Sequence, residues 1–224
     1  MVEQIVYGNI SQEYLPLLEK DNIFTKYKNE FVIKNYPNYL ETAEEINKII
    51  SIQKNAMESM DWSSIKEFSL MWDEDLILAF EYSLKMLKIP TNKEYLEYIY
   101  NTSEEIGALI MQLKNDFQRA RPYQIAYYTN ANLHPFESIS GHSPSYPSGH
   151  SCQSYFLCSL IASHYPSKEK ELMDLATKIG QSRIILGLHY PSDHTFGCYI
   201  AKELMQKEDI RKEYFAYDEE DKNV

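Results

Sequence analysis

Three short segments in the C-terminal half of the chain combine the residue types that bind and attack a tetrahedral oxyanion. The first contributes Lys114, Arg121 and Pro122, the second is Pro147 to His150, and the third contributes Ser182, Arg183, His189 and Asp193. Together they hold three fixed cations, two imidazoles, a carboxylate and a glycine turn. Cations stabilise an oxyanion, and an imidazole can act as a nucleophile or as an acid and base. We therefore expect these segments to meet in one functional site.

Lys114 and Arg121 are seven positions apart. On a continuous helix their side chains lie within about 20° of one another around the axis, so both would point into one pocket. Arg119 is two positions from Arg121 and would project away unless the helix ends first. It is therefore expected to support the site or to lie at its entrance.

Pro147-Ser148-Gly149-His150 lies at a predicted junction between a loop and a helix. The free amides and positive end of a helix N-terminus favour an anion there. Gly149 allows close approach of the backbone, Ser148 offers a hydroxyl, and His150 would lie beside the bound anion. The alternative is an ordinary serine N-cap followed by a surface histidine.

His189 and Asp193 are four positions apart, a few residues after Arg183. A carboxylate at that distance can accept the Nδ1 proton of the imidazole, which leaves Nε2 free to attack. Pro191 and Ser192 predict the start of a helix with Asp193 in its first turn. The alternative is a capping aspartate beside a satisfied histidine.

The charge distribution indicates where an anion could bind. The net charge of −11 argues against nucleic acid as a partner, and an anionic substrate would need a locally positive cleft. The chain prefers lysine and contains only four arginines, three of which lie in or beside the motifs. Because the planar guanidinium grips an oxyanion in a way that lysine does not, these arginines indicate a site. The four are Arg119, Arg121, Arg183 and Arg211.

Helical periodicity dominates the elements that must position these residues. Apolar stripes predict helices over residues 41–59 and 74–88. Two capping-box pairs predict helices that begin at about 92 and 103, the second running to about Ala120. The pairs are Thr91 with Glu94 and Thr102 with Glu105.

Residues 123–147 lack periodicity and are predicted to form a long loop, followed by helices at about 149–165, 168–186 and 193–207. Since no segment indicates a substantial sheet, we expect an all-α bundle with the motifs at one end of its helices. Residues 1–224 are expected to form a single domain with an N-terminal helical part over about 1–100. The acidic tail, 217–224, is expected to be disordered.

The N-terminus has no basic start or continuous apolar run, and no stretch is typical of a membrane-spanning helix. A soluble protein with a cytoplasmic location is therefore expected. Cys152, Cys158 and Cys198 are odd in number and are expected to be reduced and buried.

In this order, the three segments resemble the tripartite motif of the type 2 phosphatidic acid phosphatase and vanadium haloperoxidase superfamily. Residues 114–123 (KNDFQRARPY) and 145–150 (SYPSGH) are most similar to the class A acid phosphatases. The resemblance covers about 103–207, the expected catalytic core. The chain lacks the secretory signal of the acid phosphatases and the transmembrane helices of the lipid phosphatases.

The resemblance implies a helical bundle with the active site at one end and a metal-independent phosphomonoesterase without a cofactor. His189 would be the nucleophile that forms a phosphohistidine, Asp193 would orient it, and His150 would transfer the proton. The groups that would hold the phosphate oxygens are Lys114, Arg121, Arg183, Ser148 and the amide of Gly149.

Two other functions fit the same residues. A vanadium-dependent haloperoxidase would bind vanadate through His189, and a non-catalytic module would bind phosphate without turnover. The expected partner is a small phosphorylated substrate, with no nucleic acid, no stable membrane insertion and an open oligomeric state. Besides Arg119, the aromatic and histidine residues of the 123–147 segment are candidates for the entrance. They are Tyr123, Tyr127, Tyr128, His134, Phe136 and His142.

Overall fold

The computed structural model describes residues 6–8, 10–32, 39–138 and 140–215, without the side chains of residues 39–41. Its α-helices are α1 (Leu15–Leu18), α2 (Lys28–Val32), α3 (Tyr39–Glu58), α4 (Trp62–Glu74), α5 (Leu76–Met86), α6 (Lys93–Phe117), α7 (Pro122–Thr129), α8 (Gly149–His164), α9 (Glu169–Ile185), α10 (Pro191–Leu204) and α11 (Glu208–Ile210). In these ranges the only β-type pairing is an isolated bridge between Val6 and Arg119. The all-α prediction is therefore confirmed, whereas the predicted disordered tail lies outside the described residues.

Helix α8 lies between two parts of the hydrophobic core and packs against α6, α9 and α10. On one side Phe156 and Leu160 join buried residues of α6 and α10, such as Leu109 and Ile200. On the other side Leu157 joins residues of α4, α5 and α9. Because buried residues occur all round α8, the helix is enclosed by its neighbours while its N-terminus lies at the site.

Helix α6 corrects the prediction of two helices that begin at 92 and 103. It is one helix of 25 residues, capped by Asn92, whose side chain accepts the amide of Tyr95. Thr102 is buried in its interior and donates its hydroxyl to the Tyr98 carbonyl. The pattern of Thr102 and Glu105 therefore occurs inside a helix. The helix also ends before Ala120, at Phe117, where Gln118 adopts a left-handed conformation with φ of 50°.

Helix α7 corrects the predicted loop over 123–147. Arg121 is its N-cap, Pro122 occupies the first turn, and the Gln124 side chain accepts the Arg121 amide at 2.8 Å. Proline fits the first turn of a helix because that turn has amides without intrahelical partners. Pro122 therefore begins a helix rather than only ending one, and the irregular segment begins after Thr129.

The other predicted helices are confirmed with small shifts of their ends, as α3, α5, α8, α9 and α10. Helix α4 has no counterpart in the predictions. Cys152 and Cys158 are buried free thiols, as expected, whereas Cys198 is only partly buried. Within the described ranges, no helix combines the length and apolar character that crossing a lipid bilayer requires.

The start of α8 and the start of α10 are joined through their main chains. The Ser148 amide donates to the Asp193 carbonyl at 3.1 Å. Gly197 lies against the same turn, and a Cβ atom there would be 2.6 Å from the Ser148 carbonyl oxygen. Glycine at 197 therefore allows the close approach that places the two predicted motifs side by side.

Candidate active site

His189 and Asp193 form a hydrogen-bonded pair at the start of α10. The chain leaves α9 through Gly187, whose φ of +73° favours glycine, and reaches His189 two residues later. The Nδ1 atom of His189 lies 3.1 Å from Asp193 Oδ2, which also accepts the Tyr190 amide at 2.9 Å. Both side chains are buried. The spacing of four residues thus produces the contact that the sequence indicated.

The other ring nitrogen of His189 faces Arg121. Nε2 lies 3.1 Å from an Arg121 guanidinium nitrogen, which is always a donor. His189 therefore carries its proton on Nδ1, toward Asp193, and has its lone pair on Nε2. Burial, Arg121 and Lys114 hold the pKa of His189 well below its ordinary value, so the imidazole is neutral. A neutral imidazole with a free Nε2 lone pair is the form that acts as a nucleophile.

Arg121 is almost fully buried and binds main-chain carbonyls. Its Nε donates to the Ser143 carbonyl at 2.7 Å, and a terminal nitrogen donates to the Leu188 carbonyl at 3.0 Å. Burial lowers its pKa. These contacts orient the guanidinium without neutralising its charge.

Lys114 reaches the same region from the last turn of α6. Its ammonium donates to the Pro144 carbonyl, next to the Ser143 carbonyl that Arg121 contacts. Burial and the charge of Arg121 hold the pKa of Lys114 well below its ordinary value. Lys114 and Arg121 thus reach the same region, as expected, but they do not share a continuous helix. The helix ends between them, and the turn at Gln118 directs the chain back.

Arg183 lies on α9 with its guanidinium fully buried. One terminal nitrogen donates to Asp73 of α4 and, at 2.8 Å, to the Ser140 hydroxyl. Its Nε and other terminal nitrogen have no hydrogen-bond partner among the described residues. Buried donors without a partner cost free energy, so the N–H groups of these two nitrogens are suited to a ligand that accepts hydrogen bonds.

The Pro147 to His150 segment forms the N-terminus of α8. Ser148 is the N-cap and its hydroxyl accepts the Ser151 amide at 3.3 Å. His150 Nε2 lies 2.9 Å from the Trp72 carbonyl, so Nε2 carries a proton and Nδ1 is left for other partners. Burial and Arg183 hold the pKa of His150 well below its ordinary value. The segment thus combines a serine N-cap with a partly buried imidazole.

Arg119 lies behind His189 and contacts its aspartate partner. It donates to Asp193 Oδ1 at 2.5 Å and to Glu45 Oε2 at 2.9 Å, and its guanidinium stacks 3.8 Å from the Tyr190 ring centre. Burial lowers its pKa, but Asp193 and Glu45 outweigh that effect and raise it. Arg119 therefore holds Asp193 in place from the side opposite His189.

Two carboxylates from the N-terminal helices were missed by sequence reasoning. Glu45 of α3 accepts the Ser192 amide at 2.6 Å and binds Arg119. Asp73 of α4 binds Arg183 and accepts the Ser138 hydroxyl at 2.6 Å. Burial raises the pKa of Asp73, but Arg183 and the serine hydroxyls outweigh it and bring the pKa to about 2. Nothing local distinguishes these two residues among the 33 acidic side chains of the chain.

A cleft of about 450 Å³ is lined by residues that adjoin or contact site residues, not by the cationic side chains themselves. Its lining includes Leu188, which precedes His189, and Ser138, which binds Asp73. Among the expected entrance residues, Tyr123, Phe136 and His142 line this cleft. Tyr127 and Tyr128 are exposed at the end of α7, and the His134 carbonyl accepts a hydrogen bond from Gln53 at 2.8 Å.

Searches among known proteins found similarity to phosphatases. The chain is 34% identical over 98 residues to a lipid A 1-phosphatase of Rhizobium etli, which covers 43% of this chain and 41% of that protein. It is 31% identical over 87 residues to a non-specific acid phosphatase of Salmonella typhi. That match covers 39% of this chain and 34% of that protein. The chain thus spans less than half the length of the curated relatives it matches.

A solved structure also resembles this chain, with a TM-score of 0.47 and 17% identity. It is the first transmembrane PAP2 type phosphatidylglycerolphosphate phosphatase from Bacillus subtilis, and the match covers 80% of this chain and 88% of that one. The predicted cytoplasmic location is wrong, because the curated proteins similar to this chain include lipid A 1-phosphatases.

The family model described as PAP2 superfamily matches residues 99–202. This range contains all three motifs, from Lys114 to Asp193, and agrees with the expected core of about 103–207. The resemblance indicated by the motifs is confirmed. Over residues 99–202, the chain is therefore similar to the PAP2 superfamily.

Proposed function

We propose that this chain is a metal-independent phosphomonoesterase that acts through a phosphohistidine. The observation that carries the proposal is the cluster of three buried cations beside a neutral histidine, with two guanidinium nitrogens of Arg183 left without partners among the described residues. We call Lys114, Arg121 and Arg183 the cationic pocket. Within the described ranges, neither Lys114 nor Arg121 forms an ion pair with a carboxylate. A phosphate group would supply the missing negative charge.

In the proposed binding step, the cationic pocket and the N-terminus of α8 hold the non-bridging oxygens. Arg183 donates from its two unpartnered nitrogens, and Ser148 and the Gly149 amide donate from the helix N-terminus. Arg121 shifts its donor from His189 Nε2 to a phosphate oxygen, which exposes the lone pair. No metal is needed for charge neutralisation because the cations already provide it.

In the proposed reaction, the Nε2 lone pair of His189 forms a bond to phosphorus as the ester P–O bond breaks. Asp193 stabilises the imidazolium that results, and Arg119 holds Asp193 in position. The negative charge of the bound phosphate raises the pKa of His150, so that Nδ1 takes up a proton from solvent, and His150 gives that proton to the leaving oxygen. It then takes a proton from water, which attacks phosphorus, breaks the P–N bond and releases phosphate.

The substrate class is proposed only as a small phosphomonoester. The curated relatives named for acid phosphatase and lipid A 1-phosphatase activity support a phosphate ester as the substrate. The cleft presents Tyr123, Phe136 and Leu188 to the leaving group, so an apolar or aromatic group fits it. Turnover of nucleotides, sugar phosphates, inositol phosphates and lipid phosphates, measured in parallel, would identify the class.

The test of the proposed function is hydrolysis of p-nitrophenyl phosphate, with trapping of the phospho-enzyme by a denaturing quench at alkaline pH, where the P–N bond of a phosphohistidine is stable. His189→Ala is expected to abolish both signals, because it removes the nucleophile. His164→Ala is the matched control, since His164 lies at the other end of α8, about 21 Å along the helix from His150. A His189→Ala variant that kept the wild-type rate would contradict the proposal.

Two further outcomes would replace it. Bromide oxidation that requires added vanadate, without phosphatase turnover, would indicate a haloperoxidase that binds vanadate at His189. Phosphate binding without any turnover would indicate a binding module. Retained phosphatase activity after treatment with a chelator is expected, because every proposed phosphate contact is a protein group.

A further inference from the structure

A chain of hydrogen bonds leads from the α8 N-cap to a histidine that the proposed mechanism does not use. The Ser151 hydroxyl donates to Ser148 Oγ at 2.9 Å. His194 Nδ1, on α10, lies 2.9 Å from the same Ser151 hydroxyl. Ser148 and Ser151 are buried and His194 is half-buried. This series of hydrogen bonds therefore connects the proposed phosphate site with the surface side of α10.

Counting protons along this chain gives each group a direction. Ser148 Oγ has two lone pairs, and it accepts the Ser151 amide at 3.3 Å as well as the Ser151 hydroxyl. Its own proton is therefore available for a phosphate oxygen. Ser151 has one hydroxyl proton, which it donates to Ser148. Its oxygen must therefore accept a hydrogen bond from the Nδ1–H group of His194.

The packing leaves space for this imidazole. Gly180 of α9 lies against the ring, and a Cβ atom there would overlap the imidazole atoms and lie 3.1 Å from Ser151 Oγ. The other neighbour of Nδ1 is the Cys198 thiol on the same helix, at 3.8 Å. Burial lowers the pKa of His194, so the ring is neutral and adds no charge to the cationic pocket.

We propose that His194 is a positioning residue whose Nδ1–H group orients Ser151 and, through it, directs the Ser148 hydroxyl toward the bound phosphate. The inference rests on the proposed function of Ser148 as a phosphate ligand. Without a donor at position 194, the Ser151 hydroxyl is free to rotate away. Ser148 Oγ then loses the hydrogen bond that it accepts from Ser151. That hydrogen bond keeps the Ser148 proton directed at the ligand.

The test compares two replacements of His194 in the full-length chain. The amide of His194→Asn reaches the position of Nδ1 and is expected to preserve the affinity for phosphate. His194→Leu provides no donor and is expected to weaken binding of inorganic phosphate and to raise KM for p-nitrophenyl phosphate, each about three- to tenfold, with little change in kcat. His164→Leu is the matched control on α8 and is expected to leave both values unchanged.

A double-mutant cycle shows whether His194 acts through the serines. In a Ser148→Ala or Ser151→Ala background, His194→Leu is expected to have no further effect on phosphate affinity. Ser151→Ala leaves the N-cap side chain intact, so it keeps the test valid if Ser148→Ala fails to fold. Additive losses in both backgrounds, or wild-type affinity in His194→Leu, would overturn the inference.

The measurements also separate this inference from the proposed function. Calorimetry with inorganic phosphate measures the affinity of each variant in the double-mutant cycle and does not depend on turnover. A wild-type protein that binds phosphate but hydrolyses nothing would overturn the proposed function, while the cycle on binding would still support or overturn the role of His194. A wild-type protein that does neither would overturn both.

Discussion

Arg119 and Arg121 are two positions apart and equally buried, at 2% and 1% exposure, but their electrostatic surroundings are opposite. Arg119 binds the carboxylates of Asp193 and Glu45, and its pKa is raised. Arg121 binds two main-chain carbonyls and His189, and its pKa is lowered. The chain thus places one neutralised and one unneutralised guanidinium on opposite sides of a single histidine.

The difference indicates how to distinguish a structural buried cation from one that awaits a ligand. A buried charge is costly unless it is paired, and Arg119 is paired within the protein. Arg121 shares the cationic pocket with Lys114 and Arg183, where each charge disfavours the others. An anionic ligand would reverse that effect, so the pocket gains most when it is occupied.

The largest effect is expected on stability, from Arg119→Met. Methionine keeps most of the length but leaves the Glu45 and Asp193 carboxylates buried without their cation, at a cost of about 3–5 kcal/mol. Chemical denaturation measures the loss of unfolding free energy. Arg121→Met is expected to cost less, and a larger loss for Arg121→Met would break the comparison.

The next effect is on catalysis, from Arg121→Met. Removal of one group that stabilises the transferred phosphoryl is expected to lower kcat/KM by about 10²- to 10³-fold. The variant should retain the helical circular dichroism of the wild type, so that the loss is assigned to the site. A variant with wild-type kcat/KM would show that Arg121 does not contact the substrate.

Phosphate is expected to stabilise the protein through the cationic pocket. A ligand at 100 times its Kd adds about 2.7 kcal/mol to the unfolding free energy, seen as a rise in Tm. Arg121→Met should lose most of this rise. Lys85→Met is the control, because Lys85 is an exposed cation paired with Glu81 on α5, and it should retain the full rise.

The smallest effect is on the pH dependence of stability. The folded-state pKa values of His189 and His150 are lowered, so below the ordinary value of 6.5 the unfolded chain binds protons that the folded chain does not. Stability is therefore expected to fall as pH falls from about 6.5, by up to about 1.4 kcal/mol per pH unit for each group. His189 is surrounded by Lys114, Arg121, Arg183 and Asp193. Saturating phosphate should reduce the slope of the unfolding free energy against pH.

A matched series isolates the contribution of each histidine to that slope. Denaturation at several pH values should show a smaller slope for His189→Asn than for the wild type. His164 also has a lowered pKa, caused by burial alone, so His164→Asn reports the contribution of a histidine outside the site. A slope in His189→Asn equal to that of the wild type would contradict the prediction.

Much of the fold and the contacts of the third motif could be predicted because the signals are local. Helical periodicity, proline at the first turn and the spacing of four between His189 and Asp193 depend on neighbours along the chain. The same local signals failed where tertiary packing decides. Thr102 has the pattern of a cap, but burial between helices keeps it inside α6.

The remaining site contacts could not be predicted because they join distant parts of the chain. Asp73 is 110 positions from Arg183, and Glu45 is 74 positions from Arg119. One carboxylate among many becomes important only when the fold brings it to a particular cation. The direction of Arg119 likewise depends on where α6 ends, which is set by the left-handed Gln118.

Gly197 has a consequence for how substrate range can change. The hydrogen bond from the Ser148 amide to the Asp193 carbonyl, made possible by the missing Cβ at 197, fixes the geometry of the reacting groups through main-chain atoms. The residues that line the cleft, such as Tyr123, Phe136 and His142, belong to separate segments. Under the proposed function, selection or design can therefore alter leaving-group preference at these positions while the proposed phosphoryl-binding framework stays constant.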